Sequence, residues 1–379
     1  MKKTILFLTI TALLATATNA NAGAKIKIND DATIDLGFRL QALYINRDND
    51  GDDEFKLRRA RFRLKSTVTD KASIFLQTEV SDKKMQMIDA FITFKPTKDF
   101  NIIVGEHMVP ALRQNLTSSG ALMALDRPGI AYKAMNWGSR SLKNFSNSTI
   151  NETKAGFSTT HAVRDEGATI FGKAKLAENT NLKYYAGAYN GSNKAADESF
   201  QYAGRVQVNF GDNEAGYFNA STYLGKKQTF AVGASIVTQA DAVTDTTTGE
   251  SVDYTLATID AFLEQPVGSG TITAEAAFID LDLEGAGELS TGGVGTKSEG
   301  NGYYLQGGYL RNNWQIWAGY ETWDSTHTAD LGSFNTAKVG VTYFINGQHL
   351  NIKAGIESFN PEWEADSETT FVLGAYVTF

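Results

Sequence analysis

From about residue 32 to the end of the chain, apolar and polar side chains alternate with period two, segment after segment, and helical spacing is almost absent. A chain patterned in this way forms strands whose two faces meet different surroundings. The segments read as strands are 32–46, 55–69, 72–81, 85–95, 100–109, 167–176, 182–190, 201–210, 228–240, 252–264, 271–280, 301–310, 314–323, 334–345, 348–358 and 370–379. They number about sixteen. The stretch 211–227, containing "YFNASTYLG" from Tyr217 to Gly225, fits poorly and reads as further strand or interface structure, which would raise the count to eighteen.

The alternation also assigns faces. Trp314, Ile316, Ala318 and Tyr320 share one side of their strand, opposite Gln315, Trp317, Gly319 and Glu321; Leu350, Ile352, Ala354 and Ile356 likewise oppose Asn351, Lys353, Gly355 and Glu357. A soluble sandwich would press the apolar faces together, and a membrane barrel would turn them to lipid.

Connection lengths favour the barrel. Asp70-Lys71, Pro96 to Asp99, Arg311 to Asn313 and Asn346-Gly347 are tight, whereas 47–54, 241–251, 281–300, 324–333 and 359–369 are longer and polar. Counted along the strands, long links fall at one end and tight turns at the other, which is the asymmetry of an up-and-down transmembrane barrel. Beyond the N-terminal stretch, no apolar run reaches the roughly 18–20 residues that a membrane helix requires. The chain has no cysteine, so closure rests on hydrogen bonding and burial alone. The predicted fold class is all-β, a transmembrane up-and-down antiparallel β-barrel.

Residues 1–22, "MKKTILFLTITALLATATNANA", combine Lys2 and Lys3, an apolar run and small residues before Gly23, the pattern of a secretory signal peptide. Cleavage after Ala22 leaves 23–379 as the barrel and takes the net charge from −8 to −10. An exported barrel is expected in the outer membrane of a Gram-negative bacterium, against lipid and lipopolysaccharide. At the other end, "FVLGAYVTF" places Phe371, Leu373, Ala375, Val377 and Phe379 on one face. A terminal aromatic such as Phe379 resembles the signal by which such barrels are handed to their assembly machinery. The acidic balance argues against a nucleic-acid partner.

Against that acidity, "FKLRRARFRLK", residues 55–65, carries six basic side chains and no acid. Period two puts Arg59, Arg61, Arg63 and Lys65 on one face, with Lys56 and Arg58 on the other. An Arg facing lipid at mid-depth costs about 2–4 kcal/mol, so the row is assigned to the lumen. Lys56 and Arg58 are expected to snorkel towards headgroups beside the 47–54 link. Neighbours in the row, about 7 Å apart, repel by roughly 0.6 kcal/mol in water and about 2.4 kcal/mol at an effective dielectric near 20. Either mobile anions offset this, making the row an anion path, or carboxylates such as Glu79 and Asp89 do. The segment 110–166 is the longest without alternation, and its first part holds Arg113, Arg127, Lys133, Arg140 and Lys143 against Asp126. Folded into the barrel it would form a basic constriction; packed over the rim it would not.

"FKLRRARFRLK", "VPALRQNLTSSGALMALDRPGIAYKAMNWGSR" (109–140) and "YYAGAYNG" (184–191) together resemble the phosphate-selective porin O and P family. The resemblance implies a sixteen-stranded barrel assembled as a homotrimer, with the third long loop folded inward and a passive pore for small anions. Pore residues are then expected at Arg59, Arg61, Arg63, Lys65, Arg113, Arg127, Lys133 and Arg140. The rest of the lumen-parity set is mixed: Arg39, Lys173, Lys175, Lys183, Arg205, Lys338 and Lys353 accompany Glu79, Asp89, Asp260, Glu264, Glu275, Glu321 and Glu357. Phosphate specificity therefore stands beside two alternatives, a weakly selective general porin and a barrel-anchored adhesin or receptor.

No catalytic residue, cofactor or metal site is expected. His107, His161, His327 and His349 are scattered, and no nucleophile elbow is present. The acidic loop 48–54 lacks calcium-loop spacing and is read as solvated, with divalent bridging to lipopolysaccharide as a testable alternative. Gly292 to Lys297 lacks the spacing of a phosphate-binding loop and is read as a flexible link.

Overall fold

The computed structural model of the chain describes residues 24–48, 53–81, 84–131, 163–191, 199–244, 248–284, 299–326, 333–362 and 366–379. Seventeen strands follow in chain order: β1 (Ala24–Lys27), β2 (Thr33–Arg47), β3 (Asp53–Thr69), β4 (Ala72–Ser81), β5 (Lys84–Phe94), β6 (Phe100–Met108), β7 (Arg164–Ala177), β8 (Thr180–Tyr189) and β9 (Gln201–Gly211). They continue with β10 (Thr229–Thr244), β11 (Ser251–Val267), β12 (Gly270–Asp282), β13 (Gly300–Arg311), β14 (Trp314–Ser325), β15 (Phe334–Asn346), β16 (Leu350–Pro361) and β17 (Glu368–Thr378). Each strand from β2 to β17 pairs antiparallel with its chain neighbours, and β17 returns to β2 through Leu373↔Tyr44 and Thr378↔Arg39. The result is a closed barrel of sixteen strands. Closure leaves no free edge strand, so strand pairing runs all the way round the wall. The short β1 pairs with the start of β2, at Ala24↔Leu36.

The faces follow the alternation. In β14 the even positions Trp314, Ile316 and Tyr320 are exposed, while Gln315, Trp317 and Glu321 are buried. Apolar side chains such as Leu305, Ile259, Val339 and Ile356 populate the exposed outer face. Buried on the inner face are Arg39, Lys183, Arg205, Lys338 and Lys353 with Glu79, Asp89, Asp260, Glu264, Glu275, Glu321 and Glu357. An apolar outside and a charged inside is the reverse of a soluble fold and suits a barrel in lipid.

Three expectations change. First, 212–228 adds no strand: the chain leaves the wall after Gly211, whose φ of 90° a side-chain-bearing residue rarely adopts, and re-enters at Thr229. Second, β3 carries a bulge between Arg59 and Leu57, opposite Gln41 and Ala42. The extra residue is Arg58, which turns inward beside Arg59 instead of snorkelling outward. Third, the long segment ends at Val163, since β7 begins at Arg164. The segment 1–22, the residues Lys133, Arg140, Lys143, His161 and His327, most of the acidic loop and Gly292 to Lys297 lie outside the described residues.

Candidate functional site: the charged barrel interior

Residues 109–131 are almost wholly buried, and their hydrogen bonds run to inward-facing groups on opposite sides of the barrel. On one side, Asp126 accepts Arg58 Nε at 2.5 Å and Arg59 Nη2 at 2.8 Å from β3. On the far side, Thr258 Oγ1 of β11 donates to the Ala111 carbonyl at 3.1 Å, and Gln114 Nε2 donates to Glu275 of β12 at 2.9 Å. Lys353 Nζ of β16 donates to the carbonyls of Leu122 at 2.5 Å and Ala124 at 2.9 Å, and Tyr376 Oη of β17 to that of Leu125 at 2.9 Å. Met123, Ala124 and Leu125 pack with Leu43, Ile45, Trp317, Val372 and Tyr376. Room for the Trp317 ring comes from Gly340 and Gly355, where a Cβ would strike it.

The 212–228 link meets this segment from the short-turn end. Glu214 takes both terminal nitrogens of Arg113, at 2.9 and 2.7 Å, in a fully buried bidentate pair, with Phe262 stacked over the guanidinium at 3.9 Å. Asn219 bridges to Thr117 in parallel register, and Tyr217 Oη donates to the Met108 carbonyl at 2.5 Å. Sequence reasoning missed this element. The signal was Glu214, an acid just ahead of the aromatic stretch 217–225 that fits neither lipid nor a turn.

The expected pore residues fall into separate groups. Arg59 pairs with Asp126, and Arg61 with Glu79 at 2.7 Å. Arg63 is partly buried and donates to the Phe379 carbonyl at 3.1 Å; Lys65 is exposed at the barrel mouth. Arg113 and Arg127 are inside but committed, Arg113 to Glu214 and Arg127 to the carbonyls of Gln114 at 3.0 Å and Thr117 at 2.5 Å. Of the two carboxylates proposed to neutralise the row, Glu79 does so, whereas Asp89 pairs with Arg164 at 3.1 Å. The lone acid of the basic segment, Asp126, pairs with Arg59 and with Arg58, while Arg63 and Lys65 meet no carboxylate among the described residues.

Among the described residues, not every interior cation meets a carboxylate. Arg39 donates to the hydroxyls of Ser119 at 2.5 Å and Ser118 at 3.2 Å; Lys183 donates to the Asn219 side chain at 2.8 Å; Lys353 has its carbonyls. The same holds for acids. Glu264 accepts from the Tyr223 and Gly225 amides, and Glu275 from Gln114 and Tyr304. Uncompensated charge of both signs therefore remains.

A closed sixteen-stranded barrel with an apolar outside and charged interior belongs to the porin class of outer-membrane channel. The model of the phosphate-selective porin O and P family matches residues 32–355, and the chain belongs to that family. Similar solved structures include an anion-selective porin from Comamonas acidovorans, 13% identical with a TM-score of 0.58 over 92% of this chain and 100% of that one. In-vitro folded OmpT of Vibrio cholerae is 15% identical, with a TM-score of 0.56 over 94% and 100%. The outer membrane channel DcaP of Acinetobacter baumannii is 12% identical, with a TM-score of 0.53 over 95% and 100%. At these identities the likeness is one of fold. Among curated proteins none matches the chain.

Proposed function

We propose that the protein is a passive outer-membrane porin for small hydrophilic anions, with the 109–131 segment as its constriction. The observation that carries the reading is Arg39, an interior guanidinium held by serine hydroxyls, beside Arg61, which shares Ser119 with it at 3.1 Å. Hydroxyl partners leave its charge in place to attract a passing anion, whereas a carboxylate would cancel it. Arg63 and Lys65 continue that row to the barrel mouth. Inorganic phosphate is one candidate solute. The tight links support a periplasmic short-turn end, the apolar outer face supports contact with lipid and lipopolysaccharide, and in this reading Phe379 serves recognition for barrel assembly. OmpT of Vibrio cholerae, whose fold this chain shares, has been solved in a trimer form, which supports a homotrimer here. The channel performs no catalysis.

Glu264 and Glu275 favour a second reading, a weakly selective porin, because they place uncompensated negative charge in the same interior. The test is purified protein in planar bilayers under a salt gradient. Stepwise conductance with an anion-signed reversal potential is expected, and Arg63→Glu with Lys65→Glu should move that potential towards cations. A cation-signed potential in the wild type rejects anion preference. Near-zero conductance rejects the channel in favour of a barrel that serves as an anchor.

A further inference from the structure

At the short-turn end, the wall from β3 to β7 and residues 215–218 line a cavity of about 730 Å³. One part of its lining is aromatic. Phe75 and Phe91 are stacked with centroids 5.1 Å apart, and Phe171 meets Tyr217 edge-on at 5.0 Å. Its charged part is mainly cationic: Lys65, Lys71, Lys95 and Lys98 line it against one acid, Asp70. Among the described residues these four ammonium groups have no ion-pair partner, in contrast to Arg58, Arg59, Arg61 and Arg113 deeper in the barrel. An adjoining cavity of about 320 Å³ shares Lys65 and Phe75 and brings in Arg63.

We propose that this cavity binds an aromatic carboxylate, which names a solute class for the channel reading on which the proposal rests. A flat ring has aromatic faces and edges to pack against, and its carboxylate has ammonium groups within the same lining. Inorganic phosphate would use the lysines but leave the aromatic part unused. A neutral aromatic would use the rings alone, and an organic cation would meet four like charges. Lysines at an open mouth hold an anion by screened, exchangeable contacts, so a solute stays long enough to be selected and still leaves.

Benzoate is the probe, with acetate, benzyl alcohol and inorganic phosphate as controls. Two measurements run in parallel on the intact protein: titration calorimetry in detergent, which needs no conduction, and interruption of ion current in planar bilayers. Benzoate is expected to bind saturably and to interrupt the current, with each control weaker. The double variant Lys95→Gln, Lys98→Gln should weaken benzoate by about fivefold, the loss expected of exposed ion pairs. Phe75→Leu, which keeps apolar bulk but loses the stack, should weaken benzoate and leave acetate unchanged. Acetate or phosphate binding as tightly as benzoate, or benzoate binding unchanged in both variants, overturns the proposal. Benzoate binding without conductance would uphold the site while rejecting the channel; conductance without benzoate binding would do the reverse.

Discussion

Asp126 shows how much one residue can decide inside a barrel. Its two oxygens receive guanidinium groups from Arg58 and Arg59, tying the 109–131 segment to β3. Asp126→Asn keeps the shape and removes the charge that both salt bridges use. Breaking a buried pair from one side typically costs about 3–5 kcal/mol, so urea titration of vesicle-folded protein should show a loss of that order. The same substitution adds one net positive charge to the interior, and the reversal potential should move towards anions. Part of this was legible in the sequence. The row Arg59, Arg61, Arg63 and its need for compensation follow from period two. The place of Arg58 does not follow from strict alternation, yet two adjacent arginines were themselves a sign, since only a bulge lets both face inward.

Strand elements were readable because each one's face is written in its own residues, and about sixteen strands with mostly tight turns at one end follow from that pattern, with eighteen left open by 211–227. The inward course of 212–228 was not, because it is fixed by partners far away in sequence: Arg113 for Glu214, Met108 for Tyr217 and Thr117 for Asn219. The same holds for the anchoring of 109–131 by Lys353, which period two placed in the lumen without showing what it holds. Lys353→Met should keep a side chain of similar length while removing the donor to the carbonyls of Leu122 and Ala124 and the ammonium that sits 5.0 Å from the centre of the Tyr376 ring. Leaving buried carbonyls without a donor costs about 1–3 kcal/mol each. The expected outcome is a folded barrel with faster amide exchange across residues 120–126 and noisier open-channel current. An unchanged exchange pattern would mean that apolar packing alone holds the segment.

At the scale of the whole molecule, two surfaces with opposite demands are held on one wall. Ile259 lies mid-strand on the outer face, 60% exposed, between Ala234 and Phe278. Ile259→Arg should cost about 2–4 kcal/mol in vesicle refolding if that face meets hydrocarbon, and close to nothing if it meets water. Both signs occur around the inner surface: Arg39, Arg59, Arg61, Lys183 and Arg205 on β2, β3, β8 and β9 stand near Glu79 and Asp89 on β4 and β5, and Asp260, Glu264, Glu275, Glu321 and Glu357 on β11, β12, β14 and β16 share their side with Lys338 and Lys353. Many of these charges form ion pairs, including Arg205 with Asp260 at 2.5 Å and Lys338 with Glu321 at 2.6 Å. On the proposed channel reading, a passing ion feels the remainder, positive around Arg39, Arg63 and the mouth lysines and negative at Glu264 and Glu275, acting through water. Such a field is screened over about 30 Å in 0.01 M salt but about 3 Å in 1 M. The proposed anion preference, measured from reversal potentials at a fixed concentration ratio, should therefore be clear in dilute salt and nearly vanish in concentrated salt. A preference that stays constant across that range would mean instead that anions are selected by direct coordination, with their water shell removed, at a site the ion must occupy to cross.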